Sequence, residues 1–168
     1  MNITNKEMKN INYLKLHTKD LYIDNFSDSK RLQAIINTFF CNIISFQKEE
    51  NTFKSLQKEF HEEIKVDLFY FDENNLNLNS LNEIIFENKI NKIDILELFF
   101  DKSGCRILEV LCDTEYIDIV EKLIIHNSEK GLIPDARKKE IIRKLLKSHK
   151  KKIINSFKFQ EWERIKTD

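Results

Sequence analysis

Glycine and alanine each occur twice and proline once in this chain of 168 residues. The two glycines, Gly104 and Gly131, lie 27 residues apart. Phosphate-cradling loops and dinucleotide-binding turns need closely spaced glycines, because the backbone itself must approach the ligand. Neither can be built here, which excludes nucleotide-dependent enzymes of those two types. Cysteine is also scarce: Cys41, Cys105 and Cys112 are an odd number, contain no CxxC pair and are badly spaced for zinc. They read as reduced, buried thiols. No stretch approaches the roughly 18 uncharged apolar residues of a membrane span, and the N-terminal MNITNKEMKNINY lacks the apolar core of a signal peptide. The expected location is a cytoplasm, that of the source cell or, for an intracellular microbe or virus, that of a host.

What the chain does have is Ile, Asn, Lys, Phe and Tyr, 81 residues of 168. This is the residue bias of a strongly AT-rich genome, so the Asn and Lys counts are not functional design. The apolar residues recur at three and four positions nearly everywhere, the spacing of helices. Leu32, Ile35, Ile36, Phe39, Phe40, Ile43, Ile44 and Phe46 predict one buried helix of about five turns, capped by Ser27, Asp28 or Ser29. Phe53, Leu56, Phe60 and Ile64 predict an amphipathic second helix, with residues 66–71 as its end or a short extended piece. After a polar turn at 72–79, Ser80 and Glu83 match a capping box, and Ile93, Leu96, Phe99 and Phe100 predict a further short helix. Helices are expected at 105–112, 115–127, 135–148 and 150–162, with Gly131 and Pro134 as punctuation. The expectation is a single all-α domain, a helical bundle or short irregular α-solenoid: long helices in 27–71, repeat-like pairs in 80–133, basic helices in 134–168.

Residues 101–124, DKSGCRILEVLCDTEYIDIVEKLI, resemble an ankyrin repeat without gaps. Asp101 and Gly104 stand at the turn, Leu108 at the first helix's core leucine, and Ile119, Val120, Leu123 and Ile124 on the second helix's aliphatic face. The segment departs from the family at Arg106-Ile107 for Thr-Pro, Glu109 for His, Leu111-Cys112 for two alanines and Glu115 for glycine. The resemblance implies a protein-binding module without chemistry, which would present Asp101, Lys102, Ser103, Arg106 and Glu109 to a protein partner.

The zero net charge divides unevenly: residues 49–121 hold 18 acidic and 7 basic side chains, and 122–168 hold 14 basic and 6 acidic. Within 137–152, helical spacing puts Lys139, Arg143 and Lys147 in one row that can neutralise phosphates. The same tract can instead lie against the acidic middle of the chain or stay solvated. Catalytic patterns are absent: His61-Glu62-Glu63 lacks the second histidine of a zinc-protease helix, and Glu63-Ile64-Lys65 lacks the strand and aspartate of a metal-dependent nuclease. The reading is therefore a non-enzymatic protein-interaction module with no cofactor and no metal. The alternative is a nucleic-acid-binding protein that uses the basic C-terminal helix.

Overall fold

The computed structural model describes residues 11, 13–25, 28–63, 65–70, 78–127, 133–152 and 159–166. Their centre is a seven-stranded sheet, which corrects the all-α expectation. In chain order the elements are β1 (Leu21–Asp24), α1 (Ser29–Phe39), β2 (Asn42–Gln47), α2 (Glu50–Glu59), β3 (Val66–Tyr70), α3 (Leu78–Glu87), β4 (Ile93–Phe99) and α4 (Lys102–Asp113), followed by a short 3-10 helix (Tyr116–Ile119), β5 (Val120–His126), α5 (Asp135–Leu145), β6 (His149–Lys151) and β7 (Phe159–Arg164). The strands are ordered β3-β2-β1-β4-β5-β7-β6. Strands β1 to β5 pair in parallel, and β7 runs antiparallel to both of its neighbours.

The corrections have one physical cause. A parallel strand covered on both faces is a continuous apolar run, and a short run of that kind can imitate helical spacing. The predicted five-turn helix is two elements: α1 ends where Phe40 turns into the left-handed region at φ 54°, and Ile43, Ile44 and Phe46 lie in β2. Residues 66–70 are a full strand, and the predicted helix through Ile93 and Phe99 is β4. The segment 101–124 is no antiparallel helix pair: α4 is its first half, but its second is the 3-10 helix and β5, so the ankyrin-like repeat does not exist. In 150–162 the described residues apart from Lys152 belong to β6 and β7, while 153–158 lie outside the described residues, as do Ser27, Ile64, 72–77 and Gly131. Helices were correctly placed at α2, α3, α4 and α5, with ends shifted by a few residues.

Two apolar layers hold the sheet. Beneath α3, α4 and α5, Ile23, Phe46, Leu96, Leu98, Leu123, Ile125 and Trp162 pack with Leu81, Ile107, Leu108 and Ile141. On the other side, Tyr22, Ile43, Ile95 and Ile124 meet Leu32, Ile35 and Ile36 of α1, Leu56 of α2, and Ile11 and Leu14 of the N-terminal segment. One glycine is required by this packing: a Cβ on Gly104 would stand 1.9 Å from the carbonyl oxygen of Phe99, so α4 can start against the end of β4 only without a side chain.

Candidate functional site

The strand order reverses direction between β1 and β4, and open α/β sheets bind ligands outside the carboxyl ends of their strands at such a point. Six buried polar side chains, Asp24, Asn25, Ser45, Gln47, Glu97 and Ser103, lie at or just beyond these ends. Register explains part of the set: Asp24 pairs with Ser45 on one side and Glu97 on the other, so the three share one face of the sheet.

Two networks join these groups. In the first, Ser45 donates its hydroxyl to Asp24 Oδ1 at 2.6 Å and Gln47 Nε2 donates to Ser45 at 2.8 Å. The Tyr22 hydroxyl, 2.6 Å from Glu97 Oε2, then links this chain to β4. Glu97 has no exposed surface and gathers the Tyr13 hydroxyl, Arg31 Nη2 at 2.7 Å and His126 Nε2 at 2.5 Å as well. Burial alone would push its carboxyl upward; the His126 hydrogen bond and the Arg31 charge outweigh it and hold the group below the usual range. Burial, followed by the Glu97 charge, raises the Tyr13 and Tyr22 hydroxyls, so both stay protonated donors. His126 is only partly exposed and stands among the rings of Tyr13, Phe99 and Phe159, at centroid distances of 6.3, 5.4 and 5.5 Å.

The second network crosses the crevice. Asp101, the N-cap of α4, accepts from the Gly104 amide at 2.9 Å and the Ser103 hydroxyl at 2.6 Å through Oδ1. Asn25 donates to Ser103 at 3.1 Å and accepts the Phe99 amide at 3.0 Å. Lys48, just past β2, reaches Asp101 Oδ2 at 2.8 Å. Although burial opposes the Asp101 charge, the Gly104 amide and Lys48 outweigh it and lower the carboxyl's pKa.

The residues singled out from the sequence separate accordingly. Asp101 and Ser103 lie in the crevice, while Lys102 is exposed beside them. Arg106 and Glu109 belong to a different contact: Glu109 accepts two bonds from Arg137 at 2.7 and 2.9 Å, which ties α4 to α5. Lys139, Arg143 and Lys147 are exposed on and just beyond α5, with Arg143 bonded to Glu140 at 2.8 Å. Elsewhere in the tract, Lys144 reaches Asp113 at 2.5 Å and Lys152 reaches Glu161 at 3.3 Å. Asp24, Asn25, Lys48, Glu97, Arg31, Tyr13, Tyr22 and His126 were missed, because only a correct reading of β1, β2, β4 and β5 brings them together. Burial pushes the Cys41 and Cys112 thiols up to about 11 and Cys105 up to about 12, too high for a nucleophile at neutral pH. Among the described residues no group of three or more His, Cys, Asp or Glu side chains is gathered to hold a metal, and no helix is long and apolar enough to cross a membrane.

No family model matches the sequence, and no curated protein matches it either. The fold, in contrast, is shared with solved structures. Fibrillarin in its complex with Nop5p is similar with a TM-score of 0.59 at 14% identity, over 95% of this chain and 79% of that one. The 23S rRNA methyltransferase ErmE gives 0.61 at 7% identity over 96% and 68%. An RNA methyltransferase from Salinibacter ruber in complex with S-adenosyl-L-homocysteine gives 0.50 at 13% identity over 98% and 91%. The fold is thus that of methyltransferases of the Rossmann-like kind, not of ankyrin repeats. This overturns the non-enzymatic interaction module, which rested on the repeat.

Proposed function

We propose that the chain is an enzyme that transfers a methyl group from S-adenosylmethionine to RNA. One observation carries the reading: a sheet whose fold is shared with solved methyltransferases buries its polar side chains at the carboxyl ends of β1, β2 and β4, where the order reverses. S-adenosylmethionine, when bound, supplies a methyl group on a positively charged sulfur.

The donor chemistry of the crevice fits such a ligand. It is acidic, with Asp24, Asp101 and the exposed Glu49 past the end of β2, and so suits a cation that also carries a ribose diol. Glu49, exposed past the end of β2, would receive the ribose hydroxyls, the role an acidic residue takes in dinucleotide folds. The turn after β1 differs from a phosphate-type loop: it has no glycine from Asn25 to Lys30, and the Asp28 carboxylate takes the Arg31 amide at the start of α1 at 2.8 Å. Side chains rather than backbone must therefore hold the ligand, and the negative charge at α1 favours an ammonium over a carboxylate.

On the acceptor side, Glu97 fixes His126 at the end of β5, and the partly exposed rings of Phe99, Tyr13 and Phe159 give a base a surface on which to stack. Lys139 and Lys147 offer phosphate contacts outside the crevice. Because α5 joins the carboxyl end of β5 to the amino end of β6, Lys147 lies toward the opposite end of the sheet and would touch RNA remote from the reacting group.

Calorimetry with S-adenosylhomocysteine, and transfer of a labelled methyl group to RNA of the source cell, test the reading. Saturable binding and label in RNA are expected. No binding at millimolar ligand and no label would end it.

A further inference from the structure

The cations of α5 divide by direction. Arg137 and Lys144 turn toward α4, where Glu109 and Asp113 neutralise them. Lys139 and Lys147 lie on the exposed side with no acidic partner among the described residues. Between them stands Arg143, whose bond to Glu140 is an exposed pair of the kind that contributes little. Successive members of this row are four residues apart, so it runs about 12 Å along the helix. Lys151 adds to the same side of the molecule: it stands directly across from Trp162, which packs with Ile141 of α5, and its ammonium is 5.8 Å from the centre of the Trp162 ring. Lys150 and Lys152 point to the other face, where Glu163 lies opposite Lys150 and Glu161 pairs with Lys152. Lysines on an edge strand also guard it against pairing with another chain. That accounts for β6 and leaves the row on α5, which has no open edge, unexplained.

The chemistry of this face is one-sided. From Asp135 to Lys152 there is no Phe, Tyr or Trp, and the one ring, His149, is buried. A single strand is held by rings on which its bases stack, and the row has none to offer. Double-helical RNA turns its bases inward and presents phosphates and 2′-hydroxyls, which call for cations at fixed spacing. The mouth of the crevice is the reverse: the partly exposed rings of Tyr13, Phe99, His126 and Phe159 suit one unpaired base. Because α5 follows the carboxyl end of β5, its row begins on the crevice side and leads away from it.

We infer that the outer face of α5, with Lys151 beside it, docks the backbone of a double-helical RNA stem, and that the nucleotide to be methylated is an unpaired one adjoining that stem. The inference rests on the methyl-transfer reading for the reaction and on the basic face for the shape of the substrate. A linear strand or a nucleoside engages the crevice alone, whereas a stem-loop engages both surfaces.

The test measures binding of a labelled RNA hairpin and of a polyuridine strand of the same length, over a range of salt, to the wild-type chain and to the double variant Lys139→Gln, Lys147→Gln. Both positions are exposed, so the variant should keep the fold and its affinity for S-adenosylhomocysteine. The wild type should prefer the hairpin, and the variant should bind it about tenfold more weakly, with a salt dependence flatter by roughly 1.5 to 2 in log–log slope. Polyuridine binding should hardly change. Methyl label from S-adenosylmethionine should enter the hairpin in its loop. Equal affinity for the two RNAs, a variant that binds the hairpin like the wild type, or label in the paired stem would overturn the inference. So would phosphatidylserine vesicles that bind the wild type when the hairpin does not, since the face would then belong to a membrane. Hairpin results as expected without any binding of S-adenosylhomocysteine would end the methyl-transfer reading and leave the docking face standing.

Discussion

The two faces of the sheet are built on different principles, although they share every strand. Along β4, Leu96 and Leu98 point into a layer with Leu108, Leu111 and Leu123, while Glu97 between them points to the other side, toward Arg31, Tyr22 and His126. Under α3, α4 and α5, apart from the Asn25–Ser103 bond at the start of α4, the contacts of Leu96, Leu98 and Leu108 are apolar and non-directional, so that layer tolerates exchange of shape for shape. Under α1 and the N-terminal segment the layer is apolar only in part: around Ile43, Ile95 and Ile124 it resembles its counterpart, and toward the carboxyl ends it turns into hydrogen-bonded groups that each need a particular partner. One face supplies stability with little information in it. The other spends stability to hold charges where the strand order reverses.

The largest expected effect breaks that contrast at Glu97. Glu97→Ala removes the buried carboxylate that takes Arg31, Tyr13, Tyr22 and His126, and should cost about 3–5 kcal/mol in urea unfolding. Leu108→Ala on the apolar face should cost a similar amount, about 2–5 kcal/mol, by opening a cavity. The nearly isosteric exchanges separate the two. Leu108→Met should lose less than about 1.5 kcal/mol. Glu97→Gln keeps the shape but replaces an acceptor of four hydrogen bonds with a group that must also donate, and should lose about 3 kcal/mol. Equal losses for these two exchanges would mean that the polar face is ordinary core.

Next in size is Gly104→Ala, which probes the seam where β4 hands over to α4. Its Cβ would collide with a backbone oxygen rather than with a flexible side chain, so the start of α4 has to move. A loss of about 3 kcal/mol is expected in the same unfolding measurement. Because Asp101 is anchored by the Gly104 amide, the variant should also weaken any ligand that relies on Asp101. A variant as stable as the wild type would show that the close approach of helix and strand is not needed.

The sequence made the helices legible where they are amphipathic, as in α2 with Phe53 and Leu56, because their pattern has a wet side. It hid the strands that have no wet side. Ile93, Leu96 and Phe99 stand three apart in β4, and Val120, Leu123 and Ile124 three and four apart in β5, yet these spacings come from runs buried on both faces. No glycine marked the end of α1 either, since Phe40 adopts the left-handed turn that glycine usually supplies. The site was half visible for a reason unrelated to the repeat. Asp101 and Ser103 drew notice as turn residues, and they are indeed at a helix start, but that helix follows a strand and opens on the switch point. A run such as Ile95-Leu96-Glu97-Leu98, apolar with one carboxylate inside it, was the remaining signal: a charge in a buried strand has to be paired, and the pairing marks a site.

The smallest effect concerns a buried polar group on the edge strand β6. His149, at the start of β6, has no exposed surface; its Nε2 lies 2.8 Å from the Val120 carbonyl and its Nδ1 2.9 Å from the Ser148 hydroxyl. Burial lowers its pKa, against the Val120 bond and the nearby charges of Asp118 and Glu121, and Arg164 lowers it further. The folded chain therefore takes up this proton at lower pH than the unfolded chain, whose histidines titrate near about 6.5. Between those two values the unfolded state binds more protons, so stability must rise with pH there: the contribution is complete above about pH 6.5 and is lost as the pH falls toward the folded value. The carboxylates of Glu97, Asp101 and Glu109 are all held below the usual carboxylate range by their partners. Thermal unfolding from pH 7.5 to pH 5.5 should give a falling Tm for the wild type and a flatter profile for His149→Gln, which keeps a donor for Val120 but cannot take up the proton. If both profiles fall in parallel, the loss originates elsewhere, and the apolar face is as indifferent to protons as its side chains suggest.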